Sequence, residues 1–376
     1  MRKITLGALL LFATGLILVQ SCSKSGAGNN GGDKSDNTFD RKALLTNMSA
    51  NIILPAYTSF QASASALNDA VIAFNSSPDA AKLTAAQNAF TAAYKQWQST
   101  SEFDFGPANQ INFRVSVNTY PADLSQISAN INSGAYNPGL LANLAAKGLP
   151  AIDYLLFGAG ADNAAILTQY TTDSHAANRK TYLAALALEI KTSATTVLSS
   201  WNGAYKSTFL SADGTDVGSS LGQLVNQLVY DYEIIKNYEI GVPAGVQSMG
   251  TVFPQKVQAY YSKTSLQLTL LHIQAMQNLY LGKSAAGDGL GLDDYLAKIN
   301  AKYSDGKPLN DVIKAQFAAA IAKLQVLTDP LADNIRNNPT AVTAAYTELQ
   351  KLTVLLKTDM TSSLGILITF GDNDGD

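Results

Sequence analysis

The sequence predicts an all-α protein made of two helical bundles packed side by side. Along most of the chain, apolar residues recur three and four positions apart, which is the spacing of one face of an α-helix. No stretch alternates between apolar and polar residues in the way that a half-buried β-strand requires. The chain has 376 residues, whereas a single domain usually has about 100–200. We therefore expect two domains, each a helical bundle.

The boundary between the two bundles is expected where the helical spacing gives way to glycine and serine, from Thr208 to Gly218. We place an N-terminal bundle at residues 39–207 and a C-terminal bundle at residues 208–376. The two bundles have similar sizes, and so the pattern is consistent with an old duplication of one structure.

The first helices are expected from Phe39 onward, with an interruption at Pro55 that fits two short helices or one kinked helix. Ser77-Pro78 is a typical helix start, a capping residue followed by proline, and Asn338-Pro339 is another. The helix after Pro78 is expected to bury one face, made of Leu83, Ala86, Phe90, Tyr94 and Trp97. Further helical stripes lie at residues 182–205, 221–235, 321–335 and 342–356. Longer loops are expected at residues 100–140, 158–175, 206–218 and 282–310.

The N-terminus predicts export and lipid attachment. Two basic residues at positions 2–3 precede a short apolar run at residues 6–19, as in a signal peptide. Val19-Gln20-Ser21-Cys22 resembles a lipobox, in which a signal peptidase cuts before the cysteine and the thiol carries diacylglycerol. We therefore expect a signal peptide at residues 1–21 and a lipid anchor on Cys22. An ordinary secretory signal with an incidental cysteine is the alternative.

A lipid on Cys22 would make the membrane a partner of this protein and place it in the cell envelope, at the periplasmic face of the outer membrane or at the cell surface. Residues 23–38 contain no large apolar side chain, and we expect residues 22–38 to form a flexible tether. Cys22 is the only cysteine, which excludes intrachain disulfides and a zinc–thiolate site. With 47% hydrophobic residues, 15% charged residues and a formal net charge of −3, the chain is unlike a nucleic-acid-binding protein.

Recognisable catalytic motifs are absent from the sequence. Nucleophilic catalysis needs a base beside the nucleophile, and the only histidines are His175 and His272. His175 lies in a polar stretch and is expected to be solvated, and His272 is expected to be a hydrogen-bonded, half-buried side chain on a helix. Residues 370–376 resemble part of a calcium-binding loop but lack its distant glutamate, and so we expect a solvated acidic tail. No catalytic residue is assigned.

Several polar groups lie in otherwise apolar or turn-rich segments and are candidates for a binding site. They include Arg114, Tyr120 and the segment from Gly148 to Gly158. In that segment Pro150 suits the first helical position, which would place Asp153 near the positive end of the helix dipole. Asp153 could then have a structural role or could face a cavity between the bundles.

Several spaced segments together resemble the imelysin-like family, in the form found in Bacteroidetes lipoproteins. They are Asn51 to Tyr57, Phe105-Gly106-Pro107, Tyr120-Pro121, Gly148 to Gly158, Gly241 to Gly245, Ala259 to Ser262 and Lys357 to Phe370. The resemblance covers residues 40–376. It implies a two-domain helical-bundle protein that is exported and often lipid-anchored. The family is grouped with the peptidases and is linked in several bacteria to iron acquisition.

The family signature is G-x-H-x-x-E near the domain interface, and this chain departs from it. Gly148 matches the glycine, Pro150 stands at the histidine position, and Asp153 replaces the glutamate. A histidine and a carboxylate three residues apart on a helix share a face and can share a metal or a proton. Proline supplies neither a ligand nor a base, and so a peptidase with this site is not expected. The resemblance does imply that the helix carrying Asp153 lines an interdomain site.

The leading hypothesis is a non-enzymatic binding lipoprotein of a nutrient-uptake system, with iron or haem as the ligand that the resemblance suggests. Hard oxygen donors are available for iron, such as Asp104, Tyr120, Asp153, Tyr154 and Glu239. We predict a ligand site between the bundles, formed by Arg114, Tyr120, Gly148, Asp153, Tyr154 and Ser265. Substitution of Asp153 by alanine is expected to weaken ligand binding without unfolding the protein.

Two other functions are consistent with the sequence. A peptidase could assemble its site from scattered residues, with Asp153 and His272 or Glu239 acting together across the bundles. A surface interaction or adhesion scaffold would use the bundles as a rigid platform, and an exposed apolar patch would favour it.

Overall fold

Helices make up nearly all of the regular structure of the protein. The structure, a computed structural model, describes residues 39–371. The expected signal peptide, the lipid-anchor residue Cys22, the tether and the end of the acidic tail lie outside the described residues. Within residues 39–371 the strands are β1 (Lys283–Ser284) and β2 (Gly287–Asp288), which pair antiparallel as a small hairpin. The predicted all-α class is confirmed.

The helices differ widely in length and follow one another along the chain. The α-helices are α1 (Arg41–Asn47), α2 (Leu54–Ser76), α3 (Ala80–Trp97), α4 (Pro107–Gln110), α5 (Phe113–Asn118), α6 (Leu124–Ser133), α7 (Gly148–Asp153), α8 (Asn163–Thr171), α9 (Ala176–Ser200), α10 (Lys206–Ser211), α11 (Ser220–Glu233), α12 (Ser265–Tyr280), α13 (Leu292–Lys298), α14 (Leu309–Leu324), α15 (Leu331–Asn337), α16 (Pro339–Val354) and α17 (Thr361–Leu364). The π-helical segments are Met48–Ile53, Tyr154–Gly158, Trp201–Tyr205, Ile234–Gly241 and Leu355–Met360. Short 3₁₀ turns lie at Ser101–Phe103, Leu141–Ala146 and Pro254–Lys256.

Each half of the chain has its own central helices. In residues 39–207, which we call the N-terminal region, α2 packs along α3 and α9. In residues 208–371, the C-terminal region, α14 packs along α16, and α12 packs against α14. Residues 39–371 belong to one compact unit. The division into two domains stays a prediction.

The two regions meet at a 3₁₀ turn and several helices. The turn Ser101–Phe103 packs against α11, and α1 packs against α10 and α11. Helix α3 also contacts α12. Polar side chains that follow α3 in the chain are therefore brought next to those on α11 and α12, and they are buried there together.

The predicted helix starts are confirmed in one case and shifted in another. Helix α16 begins at Pro339, as expected. The helix predicted to start at Ser77-Pro78 begins instead at Ala80, because Asp79 is its cap and accepts the Lys82 N–H at 2.8 Å. The predicted apolar face of α3 is buried in full, at Leu83, Ala86, Phe90, Tyr94 and Trp97.

Pro55 does not interrupt the first helices. It directly follows the π-helical segment Met48–Ile53, where the regular hydrogen-bond ladder is already altered, and the backbone stays helical from α1 into α2. Residues 100–140 and 158–175, predicted as loops, contain α4, α5, α6 and α8. These helices have ten residues or fewer, and so each shows at most a few positions of an apolar stripe. No helix in residues 39–371 combines the length and the apolar character needed to span a membrane.

Candidate functional site

A group of buried charged side chains lies where the two regions meet. Arg114 is on α5, Asp231 on α11, Glu239 on the π-helical segment after α11, and His272 on α12. None of the four is more than 8% exposed. Buried charges are costly unless they are paired and hydrogen-bonded. We call these four residues the charged cluster.

His272 is the centre of the charged cluster. Its Nε2 lies 2.7 Å from Asp231 Oδ2, and its Nδ1 lies 2.8 Å from Glu239 Oε1. Burial alone would lower the pKa of His272, but the two carboxyl groups beside it raise that pKa to about 10. The imidazole is therefore a cation at neutral pH, and each ring nitrogen donates a hydrogen bond.

Arg114 brings a second cation to the cluster from the N-terminal region. Its Nη2 lies 3.2 Å from Asp231 Oδ1 and donates to the carbonyl oxygen of Ser101 at 2.7 Å. The same Nη2 donates to Gln227 Oε1 at 3.0 Å. Burial acts to raise the pKa of Asp231, but Arg114 and His272 together hold that pKa below its usual value. The cluster thus pairs two cations with two carboxyl groups across the boundary between the regions.

A cavity of about 40 Å³ adjoins the charged cluster. Tyr120 Oη, Glu239 Oε2 and Asp231 Oδ1 belong to residues that line it, and none of these oxygens has a hydrogen-bond partner in the protein. Asp231 Oδ1 keeps its ion pair with Arg114. A cavity of this size can hold one or two water molecules or a small ion. Because buried polar atoms nearly always have a partner, we consider this cavity the candidate site.

Ser101 adds an arrangement that looks like a hydrolase triad. Its Oγ lies 3.2 Å from His272 Nε2, and Glu239 holds the opposite ring nitrogen. The same hydroxyl donates to Asp231 Oδ2 at 2.9 Å, and His272 carries two protons at neutral pH. A general base needs a free nitrogen to accept the serine proton. The arrangement is therefore unsuited to nucleophilic catalysis in this protonation state.

The donor atoms around the cavity suit a hard cation better than a soft one. Within residues 39–371, no three His, Cys, Asp or Glu side chains converge as a preformed metal site. Both nitrogens of His272 are occupied by carboxyl groups. The oxygens of Tyr120, Glu239 and Asp231 are hard donors. An ion in this cavity would therefore complete its coordination with water.

Asp153, the predicted signature residue, is buried and fully engaged by backbone groups. Its Oδ2 accepts the Tyr261 N–H and its Oδ1 accepts the Ser262 N–H, both at 2.9 Å. Burial raises the pKa of Asp153 to about 6, although these hydrogen bonds act to lower it. With Tyr120, Asp153 lines a separate cavity of about 30 Å³. The carboxyl group thus ties α7 to the C-terminal region.

Helix α7 begins at Gly148, two residues earlier than the sequence predicted from Pro150. Gly148 has a φ of +70°, which allows the chain to turn into the helix there. Asp153 is the sixth residue of a helix that continues as the π-helical segment Tyr154–Gly158, and so it lies beyond the first turn, where the helix dipole acts most strongly. The N–H groups of Tyr261 and Ser262 stabilise the carboxyl group instead.

The remaining predicted residues lie in different places. Tyr154 packs edge-on against Tyr261, with ring centroids 5.2 Å apart. Ser265 is 1% exposed, and its Oγ donates to a main-chain carbonyl oxygen at 2.6 Å. Neither lines the cavity beside the charged cluster. Of the six predicted residues, the structure brings Arg114 and Tyr120 together at that cavity.

Asp231 and Ser101 were not predicted as site residues from the sequence. Asp231 lies in the apolar stripe of α11, three residues after Leu228 and four before Ile235. A charged residue at a core position of a stripe is uncommon, and this signal could have identified Asp231. Ser101 lies in a stretch predicted as a loop, and no comparable signal marks it.

Comparisons with known proteins agree on one family. A family model described as Imelysin matches residues 53–357. The chain is similar to the Iron-regulated protein A of Synechococcus elongatus, with 25% identity over 310 residues that cover 78% of this chain and 79% of that protein.

Two solved structures share the fold. One, described as an iron-regulated protein A precursor from Parabacteroides distasonis ATCC 8503, has a TM-score of 0.73 and 18% identity and covers 88% of this chain and 97% of its own. The other, an imelysin-like protein from Psychrobacter arcticum 273-4, has a TM-score of 0.66 and 19% identity, with the same coverage of 88% and 97%.

Proposed function

This chain belongs to the imelysin family, and we propose that it is a non-enzymatic ligand-binding component of iron acquisition in the cell envelope. The curated relative and one of the solved structures are named as iron-regulated proteins. Those names describe the relatives, and they connect the family with iron. The support for iron binding by this chain is the cavity between the regions.

The main support for the proposal is the set of buried oxygens at that cavity. Tyr120 Oη and Glu239 Oε2 are buried, lack hydrogen-bond partners and belong to residues that line the same cavity. Carboxylate, hydroxyl and water oxygens suit hard cations. Burial, and then the charge of Glu239, raise the pKa of Tyr120 well above its usual value. The phenol therefore keeps its proton, and Glu239 supplies the negative charge that faces the ion.

A cargo ion that binds and leaves fits this cavity better than a permanent metal. Arg114 and His272 already balance the carboxyl groups of Asp231 and Glu239. An incoming cation therefore gains less attraction than it would from carboxylates with no other partner. Weak, water-completed coordination favours reversible binding, which an uptake component needs.

The size of the cavity favours an iron ion over haem. Its volume is about 40 Å³, whereas pockets for drug-sized ligands measure about 300–1,000 Å³. Haem would fit only if the two regions moved apart. We therefore assign the cavity to an iron ion with bound water.

A binding role is favoured over a peptidase role by two features. His272 holds two protons at neutral pH because its pKa is about 10, and it cannot serve as a base. The position that the family signature gives to histidine is Pro150, which has neither a ligand atom nor a base.

The proposed location is the outer membrane, at its periplasmic face or at the cell surface, with a lipid on Cys22 as the anchor. The support is the lipobox-like sequence before Cys22. The Cys22→Ser variant is expected to leave the membrane fraction and to lose incorporation of labelled palmitate. Retention of this variant in the membrane fraction would contradict a lipid anchor.

Iron titration of the purified full-length protein in detergent tests the site. We expect about one iron ion per chain by elemental analysis, and binding at least about tenfold weaker in Glu239→Gln and Tyr120→Phe, because each variant loses one ligand oxygen. Tyr303→Phe, a matched change away from the cavity, is expected to bind like the wild type. Equal affinities in all four proteins, or no iron binding at all, would overturn the proposal.

A further inference from the structure

A second cavity, of about 310 Å³, opens between the N-terminal region and α12. We call it the amide groove because four amide side chains line it, those of Asn51, Gln96, Gln274 and Asn278, together with three serine hydroxyl groups. It shares no lining residue with the cavity beside the charged cluster. Its volume lies within the range of about 300–1,000 Å³ that small-molecule sites occupy.

Glu102 lines the amide groove and is almost wholly buried. Its exposed fraction is 1%, and its Oε2 has no hydrogen-bond partner. Burial, and then the charge of Asp231, raise the pKa of Glu102 to about 8. Its carboxyl group is therefore mostly protonated at neutral pH and can both donate and accept a hydrogen bond. A hydroxyl group of a ligand would give Oε2 the partner that the protein does not provide.

The lining of the groove carries little charge. Among the described residues that line it, Glu102 and Lys283 are the only ionisable side chains. Each amide side chain offers donors and an acceptor close together, which matches adjacent hydroxyl groups on a ring. Ile52 and Leu271 add apolar surface to the same groove, which suits the C–H face of such a ring.

We propose that the amide groove binds a small uncharged polyhydroxylated ligand, of the size of a monosaccharide or disaccharide, through Glu102 and the amide side chains. An organic cation would meet Lys283 and would require Glu102 to ionise. An anion would find Lys283, at an exposed position, as the one cation of the lining, with no arginine beside it. Because the lining carries little charge, it suits a neutral ligand. Because it offers many hydrogen-bond donors and acceptors, it suits a ligand with several hydroxyl groups.

This inference is independent of iron binding. The two cavities have no residue in common, and so variants of the amide groove are expected to keep the iron affinity of the wild type. Loss of one activity in a variant with the other intact would show that the two sites are separate.

Isothermal titration of the full-length protein tests the amide groove. The probes are glucose, galactose, mannose, N-acetylglucosamine, maltose and lactose at millimolar concentration. Gln274→Ala removes an exposed amide of the groove and is expected to bind the best of these probes roughly tenfold more weakly. Ala275→Phe is expected to abolish binding, because Ala275 lines the groove and the phenyl ring would fill it. The matched controls are Gln325→Ala and Ala92→Phe, which alter exposed positions elsewhere.

Three results would overturn the proposal. One is the absence of measurable binding by every sugar in the panel. Another is unchanged sugar affinity in both Gln274→Ala and Ala275→Phe, which would place the sugar elsewhere. The third is competition for the groove by putrescine or phosphate, since either would show that the ligand is charged.

Discussion

Arg114 Nη2 lies 3.2 Å from Asp231 Oδ1, and the two side chains are 10% and 1% exposed. Arg114 belongs to the N-terminal region and Asp231 to the C-terminal region, and so this ion pair crosses the boundary between them. Removing Arg114 would leave Asp231 buried with His272 but with one cationic partner fewer, which is costly in a buried site. The pair is therefore a point at which the packing of the two regions can be tested.

Replacing Arg114 with methionine is expected to lower the free energy of unfolding by about 3–5 kcal/mol, because Asp231 stays buried with one cation fewer. Urea denaturation measures this change. Arg336→Met is the matched control, since Arg336 pairs with Asp333 at the surface, where the side chains are 44% and 58% exposed. Its effect is expected to be below about 1 kcal/mol. Equal effects of the two substitutions would contradict the role of the buried pair.

The protonated state of His272 predicts a loss of stability in alkaline solution. The pKa of His272 is about 10 in the folded protein, against about 6.5 for a solvated histidine. The folded state holds this proton more tightly, and so the stabilisation is complete below about pH 6.5 and is lost as the pH rises toward 10. The free energy of unfolding is expected to fall by on the order of a few kcal/mol across this window.

His272→Gln separates this effect from other titrations. The variant is expected to be less stable than the wild type at pH 6.5 and to lose less stability by pH 10. His175→Gln changes a half-exposed histidine and is expected to follow the wild type. Denaturant unfolding at several pH values gives both curves, and a slope in His272→Gln equal to that of the wild type would refute the assignment.

The fold was predictable because long helices repeat their apolar residues. Helix α3 buries every residue of its predicted face, from Leu83 to Trp97. The short helices between residues 100 and 140 were not predicted, because a helix such as α4, with four residues, is too short to show a period. Its position depends on neighbours that are distant in the sequence.

The candidate site was predicted only in part, because most of its geometry is made by long-range contacts. Arg114 and Tyr120 were found as polar groups in apolar segments. The pairing of Asp231 with His272 joins residues 41 positions apart, and the pairing with Ser101 spans 130 positions. Spacing along one helix cannot show which of these side chains meet.

Glu102→Gln is expected to stabilise the protein, and more strongly as the pH rises. The pKa of Glu102 is raised from 4.5 to about 8 in the folded protein, and so the folded state resists ionisation of this buried carboxyl group. The wild type therefore loses stability as the pH rises from 4.5 through 8, whereas glutamine keeps the shape without the charge. The difference in unfolding free energy between the two proteins is expected to grow over this window and to level off above it. A difference that stays constant with pH would contradict the burial of an unpaired carboxyl group.

Asp153→Ala is expected to destabilise the protein, which differs from the expectation based on the sequence. Both carboxyl oxygens accept backbone N–H groups, from Tyr261 and Ser262, and alanine would leave these donors without partners at a cost of about 2–4 kcal/mol. Asp153→Asn keeps one acceptor oxygen and is expected to lose about half as much stability as Asp153→Ala. Asp288→Ala, at an exposed position on β2, is the control. The loss of stability is measured by thermal and urea unfolding. A loss in Asp153→Ala no larger than that in the control would contradict this structural role.

Gly148→Ala is expected to be strongly destabilising for two separable reasons. Gly148 has a φ of +70°, and a Cβ there would lie 2.3 Å from the carbonyl oxygen of Val117. Gly306 has a φ of +86° but open space around its Cβ position. Gly306→Ala therefore measures the conformational cost alone, about 1–2 kcal/mol, and any larger loss in Gly148→Ala measures the clash with the main chain. We expect Gly148→Ala to lose more than about 3 kcal/mol, because the atoms that its Cβ would meet belong to the main chain of Ser116 and Val117. If the two substitutions lowered the unfolding free energy equally, the main chain at Val117 would have moved aside to accommodate the added Cβ at little cost. Steric space would then not be the reason for a glycine at position 148.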